Sequence, residues 1–152
     1  MSAPMVQPVI RPVEAGDEAE WRRLWGAYLA FYETELPDEV FRSTFRRVSG
    51  AEPGGPRGLI ALIGASPVGL VHFLYHRTCW AEADTCYLQD LFVSPEARGT
   101  GLGRALIERV YAEADAAGAS QVYWMTQEFN YRARMLYDRI AQKTPFIEYN
   151  RR

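Results

Sequence analysis

The chain has little of what several function classes require. Only Cys79 and Cys86 are present, at a spacing that matches no metal or redox motif. Both are read as reduced thiols, as expected of a cytoplasmic protein. His72 and His76 are the only histidines. They fall in Val68–Tyr75 and just beyond it, a run that reads as a strand, so they are not expected to share a metal and no metal site is assigned. No apolar run approaches the roughly 20 residues needed to cross a bilayer. Met1 to Ile10 lacks the apolar core of a secretion signal. A net charge of −2 gives no footprint for nucleic acid. Repeats, low-complexity stretches and domain linkers are also missing. What remains is a 152-residue chain with 48% hydrophobic residues, read as one domain over residues 1–152 with a core of its own.

Apolar spacing predicts the elements. Val9–Val13 reads as a strand. Asp17 can cap a helix with Glu20 as the second half of a capping box. Trp21, Leu24, Trp25, Tyr28 and Tyr32 then recur at helical spacing. Pro37 suits the start of a second helix through Val40, Phe41, Phe45 and Val48. Ser49–Arg57, with three glycines and two prolines, reads as a loop. Gly58–Gly64 and Val68–Arg77 form a hairpin around Ala65-Ser66-Pro67. Thr85–Val93 is the next strand. Leu102, Leu106, Val110 and Ala114 mark a helix that Gly118 ends. Ser120–Thr126 is a strand, Asn130 caps a last helix to about Ala141, and Phe146–Tyr149 can add an edge strand. The fold class is therefore α/β (α+β): a mixed, mostly antiparallel twisted sheet of about six or seven strands flanked by about four helices. Thr85–Thr126 forms a right-handed parallel crossover.

The most informative stretch is Val93-Ser94-Pro95-Glu96-Ala97-Arg98-Gly99-Thr100-Gly101-Leu102-Gly103-Arg104. Glycines let backbone approach a bulky anion, and the first turn of a helix offers free N–H groups at the positive end of its dipole. Together they make a phosphate cradle. It is not a Walker loop, because no Gly-Lys-Ser/Thr follows. It is not a dinucleotide fingerprint either, because Arg104 stands where the third glycine would fall.

These residues resemble the GNAT family of acetyl-CoA-dependent N-acetyltransferases. The family pattern Arg/Gln-x-x-Gly-x-Gly/Ala reads here Arg98-Gly99-Thr100-Gly101-Leu102-Gly103, and a second match is Asn130-x-x-Ala133-x-x-x-Tyr137. Tyr87–Val93 and Tyr123–Asn130 are similar to the branch acetylating diamines, polyamines, histones or amino acids. Gln89 stands where the diamine enzymes carry Glu, and the common Gly-Phe after the last helix is replaced by Ala141-Gln142-Lys143.

The resemblance implies that coenzyme A lies between two splayed parallel strands, Thr85–Val93 and Ser120–Thr126. Backbone groups of Leu91, Phe92 and Val93 would pair with the pantetheine amides. N–H groups of Gly99, Thr100, Gly101, Leu102, Gly103 and Arg104 would receive the pyrophosphate, helped by the Arg98 and Arg104 charges. Asn130, beside Ala133, would bond pantetheine as well as cap its helix. Tyr137 is the implied proton donor to the departing thiolate; its phenol is protonated at neutral pH.

A Lys-like amine has a pKa near 10.4, so at pH 7 about one molecule in two thousand is neutral. A base or a water chain must take that proton. Asp90 is the candidate base, with amine binding or a structural bond as its other readings. Strand alternation puts Gln89 and Asp90 on opposite faces unless a bulge intervenes. Glu128 is a second candidate. The first helices would wall the acceptor site with Tyr28, Tyr32 and Glu33, and Gln89, Asp90 and Glu128 would face it. Aromatics and carboxylates suit an organic cation. The expected activity is acetyl transfer to a small-molecule primary amine (polyamine, amino acid or lysine side chain) by direct attack in a ternary complex. A non-catalytic acetyl-CoA sensor and a histone-tail acetyltransferase are the alternatives. No nucleic-acid or membrane partner is expected, and a second copy of the chain could pair at Phe146–Tyr149.

Overall fold

A computed structural model describes residues 7–50 and 52–152. Its sheet has five strands in the order β1-β2-β3-β4-β5: β1 (Val9–Pro12), β2 (Arg57–Ile63), β3 (Ser66–His76), β4 (Thr85–Val93) and β5 (Val122–Tyr123). The first three pairings are antiparallel and β4–β5 is parallel. The helices are α1 (Glu18–Phe31), α2 (Asp38–Ser49), α3 (Leu102–Ala116) and α4 (Tyr131–Ile140), with short 3-10 turns at Ala15–Asp17 and Pro95–Ala97. No helix among the described residues is long and apolar enough to span a membrane, and no cluster among them could hold a metal ion.

Each sheet face has its own core. The α3 stripe of Leu102, Leu106, Ile107, Val110 and Ala114 packs on Leu59, Ala61, Val71, Phe73, Cys86 and Leu88. On the opposite face, Trp21, Leu24, Trp25 and Leu29 of α1 join Phe45 and Val48 of α2 over Ile60, Leu70 and Phe92. Strand alternation supplies both sets. Gly118, at φ 73°, closes α3 as expected, with Ala119 N–H returning to Ala114 C=O at 2.9 Å.

Four expectations are corrected. Asp17 does not cap α1 with its side chain. Its carboxylate is drawn to the Arg11 guanidinium at 2.7 and 2.9 Å and accepts Glu14 N–H at 2.7 Å. That pairing holds the Asp17 carboxyl below the usual carboxylate range. Pro37 precedes α2 as its cap and does not enter its first turn. The strand expected over Ser120–Thr126 contracts to Val122–Tyr123 because only Cys86 and Tyr87 pair with it. Phe146–Tyr149 carries no strand, and Phe146, Ile147 and Tyr149 are 77–88% exposed. Among the described residues the sheet therefore has five strands rather than six or seven, and the expected pairing of a second copy would rest on a segment that forms no edge strand.

Candidate functional site

The site begins where β4 and β5 part. Both run parallel at Cys86–Tyr87. Past Tyr87, β4 continues to Val93 with β3 on one side and, among the described residues, no strand on the other. This is the splay expected of the pair, and it leaves a strand edge with free backbone groups. Trp124, Met125 and Thr126 form the far wall of the gap, opposite Leu88, Gln89 and Leu91. Tyr28 of α1, Tyr32 at the cap that ends it and Tyr137 of α4 complete a small cleft of about 30 Å³, room for a group the size of an ammonium.

Beyond the free edge, the chain turns through Pro95–Ala97 into α3. Thr100 Oγ1 donates to Ala97 C=O at 2.6 Å and fastens the turn. Gly99 and Gly101 sit at φ 79° and 85°, where side chains are strained. Gly101 is the left-handed cap of α3. Among the described residues, no main-chain or side-chain acceptor takes the N–H groups of Gly99 through Arg104. An αL cap, unclaimed N–H groups and a helix N-terminus together fit a pyrophosphate.

The arginines are less open. Arg98 Nε donates to Val93 C=O at 3.3 Å, so one of the main-chain acceptors expected for pantetheine already has a donor. Arg104 pairs with Glu108 at 2.8 Å on the exposed face of α3. Leu91 and Val93 pack toward α3, whereas Phe92 is buried against α1 and α2.

Asn130 caps α4 as the sequence predicts. Its Oδ1 accepts Ala133 N–H at 3.5 Å, and its Nδ2 faces Thr126 Oγ1 at 3.5 Å. That cap aims Tyr137 toward the cleft, where its ring meets Trp124 edge-on at 5.4 Å. Burial, followed by the nearby Tyr32, pushes the Tyr137 phenol up to about 12. It therefore holds its proton throughout the neutral range.

Asp90 lies behind the cleft. Oδ1 accepts the Tyr28 hydroxyl at 2.8 Å, and Oδ2 lies 3.0 Å from His72 Nδ1. Burial, and then Asp90, push the Tyr28 phenol far above its ordinary value; Tyr32 shifts up for the same two reasons. The pairing of β4 with β3 skips Gln89: His72 faces Asp90 and Phe73 faces Leu88. That bulge changes the alternation. Gln89 is exposed at the cleft wall while Asp90 turns toward α1.

Two acidic candidates stand apart from the cleft. Glu33 is exposed beyond the end of α1 at φ 52°. It forms the left-handed cap in which Thr34 N–H returns to Leu29 C=O at 2.9 Å. Glu128 is exposed, and it is its carbonyl that accepts Arg134 at 2.6 Å. The sequence reading missed Trp21 and His72 as parts of the site. Trp21 Nε1 donates to His72 Nε2 at 3.0 Å across 51 residues of chain, and no local pattern signals that contact. Trp124 and Thr126 were read only as strand, yet they wall the gap.

Residues 19–141 match the acetyltransferase (GNAT) family. The chain is 38% identical over 151 residues to the D-amino-acid N-acetyltransferase HPA3 of Saccharomyces cerevisiae, covering 94% of this chain and 89% of that protein. It is 31% identical over 83 residues to the thialysine N-epsilon-acetyltransferase of Caenorhabditis elegans, covering 55% of this chain and 51% of that one. Among solved structures, the aminoglycoside N-acetyltransferase AAC(6')-Iy in complex with CoA superposes with a TM-score of 0.82 at 17% identity, over 96% of this chain and 95% of that one. At that identity the likeness is one of fold.

Proposed function

The chain belongs to the GNAT acetyltransferase family, enzymes that move acetyl groups to amines, and from that premise we propose that its acceptor is a small free amine, an amino acid before a polyamine or a protein lysine. The observation that carries this reading is the composition of one cleft. Tyr137, Tyr28 and Tyr32 line it together with the free edge of β4, and no arginine or lysine does. Aromatic faces without a competing cation suit a compact ammonium group. The amino-acid preference is supported by the near full-length likeness to an enzyme named for D-amino acids. The diamine resemblance is weaker, since Gln89 replaces the acidic residue of that branch.

Acetyl-CoA supplies an activated thioester whose carbonyl carbon accepts the amine and whose sulfur leaves. The residues present fit it. N–H groups from Gly99 to Arg104 would hold its diphosphate. The edge of Leu91–Val93 that faces away from β3, where Arg98 holds the Val93 C=O, would run beside its pantetheine arm, and an N–H there would steady negative charge as it develops on the acyl oxygen. Asn130 would add a polar contact while capping α4. Tyr137, still protonated, would give its Oη proton to the departing sulfur.

The test is an acceptor panel read by thiol release with acetyl-CoA: D- and L-amino acids, thialysine, a polyamine and a lysine-bearing peptide. Turnover led by a free amino acid supports the reading. Turnover confined to the peptide would replace it with protein acetylation. Binding of acetyl-CoA without thiol release from any acceptor would oppose catalysis itself.

A further inference from the structure

A polar chain runs behind the cleft, apart from the groups that would hold coenzyme A. Trp21 Nε1 donates to His72 Nε2 at 3.0 Å, His72 Nδ1 lies 3.0 Å from Asp90 Oδ2, and Tyr28 Oη donates to Asp90 Oδ1 at 2.8 Å. An indole N–H can only donate, so Nε2 accepts and the ring proton sits on Nδ1, where it is given to the carboxylate. A carboxylate can only accept, so the Tyr28 proton also points inward. Every hydrogen along the chain has one placement. What Tyr28 presents to the cleft is therefore an oxygen with free lone pairs, an acceptor rather than a donor.

The charge on Asp90 is also unbalanced. Its side chain is 13% exposed, and its one ion-pair contact among the described residues is His72, itself 2% exposed. Among the described residues, the titratable groups that face the pair are Tyr28 on α1, Tyr32 just past its end and Tyr87 on β4. No arginine or lysine is among them. A buried carboxylate without a counter-charge is costly even when hydrogen-bonded, and a cation arriving at the Tyr28 oxygen would offset that cost. Trp25 stacks on Tyr28 at 4.9 Å and 12°, and Tyr32 meets it at 5.1 Å, so the hydroxyl is held in place.

The geometry points to Tyr28 Oη as the seat of the acceptor's ammonium, with Asp90 behind it as counter-charge and with His72 and Trp21 as positioning residues that aim Asp90. This rests on the amine-acetylating reading above and adds which atom reads the amine. Once the ammonium is seated, one N–H bond breaks, its proton passes to water, and the electron pair stays on nitrogen for attack.

The test uses D-alanine as acceptor, with thialysine as the second, at saturating acetyl-CoA from pH 6 to 11. Tyr28→Phe keeps the ring on Trp25 and removes the oxygen; Asp90→Asn keeps the shape and removes the charge. Both are expected to raise KM for D-alanine about tenfold or more, the scale of one charge-assisted hydrogen bond, with KM for acetyl-CoA within about twofold. An ammonium beside a carboxylate keeps its proton to higher pH. Asp90→Asn should therefore move the acidic limb of the kcat profile about one unit to lower pH. His72→Gln, which retains a donor for Asp90, should preserve more amine affinity than His72→Phe. A purely structural role would lower melting temperature and leave the pH limb and the split between the two KM values unmoved. An unchanged amine KM in folded Tyr28→Phe overturns the seat. If the wild type binds acetyl-CoA but acetylates neither amine, it is the acetyl-transfer reading that fails. The seat is then judged by calorimetric titration of D-alanine, where equal affinity for wild type and Tyr28→Phe, or no binding to wild type, overturns it.

Discussion

Gly101→Ala separates what the glycine turn does for the fold from what it does for an anion. Gly101 caps α3 at φ 85° and ψ 6°, a conformation that costs an L side chain about 1–2 kcal/mol. A Cβ there meets nothing within 4 Å, so no clash adds to the strain. The variant without ligand should therefore lose only that amount, roughly 2–8 °C of melting temperature for a domain of this size. Binding should suffer separately. The open space around Gly101 borders the N–H groups that have no internal acceptor, and a methyl group there would keep a phosphate oxygen from them. One lost charge-assisted hydrogen bond costs about 1.5–3 kcal/mol, roughly 10- to 150-fold in affinity. Gly103→Ala is the comparison within the same turn. Its Cβ would lie 3.7 Å from Leu136 Cδ2 and 3.9 Å from Val93 Cγ2, which is ordinary contact, so stability and acetyl-CoA affinity should stay near wild type. Thermal unfolding without ligand reads the strain, and calorimetric titration with acetyl-CoA reads the affinity. A Gly101→Ala protein that loses the stability yet binds acetyl-CoA as tightly as wild type would refute the anion-seat reasoning and leave the glycine as a helix cap alone.

Tyr137→Phe should lower kcat by about 10²- to 10⁴-fold while leaving acetyl-CoA affinity within about twofold, as read by thiol release and by calorimetry; equal turnover would remove the phenol from the chemistry. The same residue sets an alkaline limit. Its native value, pushed up to about 12, lies above the roughly 10 of an unfolded tyrosine, so the native state binds the proton more tightly. That stabilisation is complete below about pH 10 and is lost as pH rises toward 12; urea unfolding at pH 9 and pH 11 should show a smaller loss in Tyr137→Phe than in wild type. Glu33→Gly relieves the left-handed strain at φ 52° and should raise stability by about 0.5–1 kcal/mol, with turnover unchanged because the Glu33 side chain lies outside the cleft wall.

Where residues a few positions apart decide the outcome, the chain was legible. Thr85–Val93 and the helix from Leu102 both form with the expected bounds. The cap at Asn130 is equally local. Asp17 shows the limit of such reading: its spacing to Glu20 matches a capping box, but Arg11 on β1 offers a full charge, and the carboxylate turns that way. The contraction of β5 is a tertiary effect, since Trp124–Thr126 lie where β4 has already diverged. The tail after Ala141 has bulky apolar residues suited to a strand, yet no strand edge among the described residues takes it up. Least legible was the Trp21–His72–Asp90–Tyr28 chain, because its members come from α1, β3 and β4 and depend on how those elements stack.

The bulge at Gln89 explains how one strand serves two sides of the reaction. Before it, Cys86 and Leu88 face α3; after it, Leu91 and Val93 do. Strict alternation from Leu88 would instead have sent Asp90 into the apolar layer with Leu106 and Val110, where a carboxylate finds no partner. One residue left out of the ladder with β3 turns Asp90 to the α1 face, within reach of His72 and Tyr28. The same strand still carries its free edge on to the glycine turn. Bulges commonly re-aim side chains next to active sites. Here the re-aiming sets an acidic group on the acceptor side while the edge of Leu91–Val93 stays on the side proposed for the cofactor. A one-residue deletion at Gln89 would restore regular pairing while leaving Leu88 opposite Phe73 and Asp90 opposite His72, so Asp90 should keep its partners on the α1 face and the change should fall on the cleft wall that Gln89 supplies.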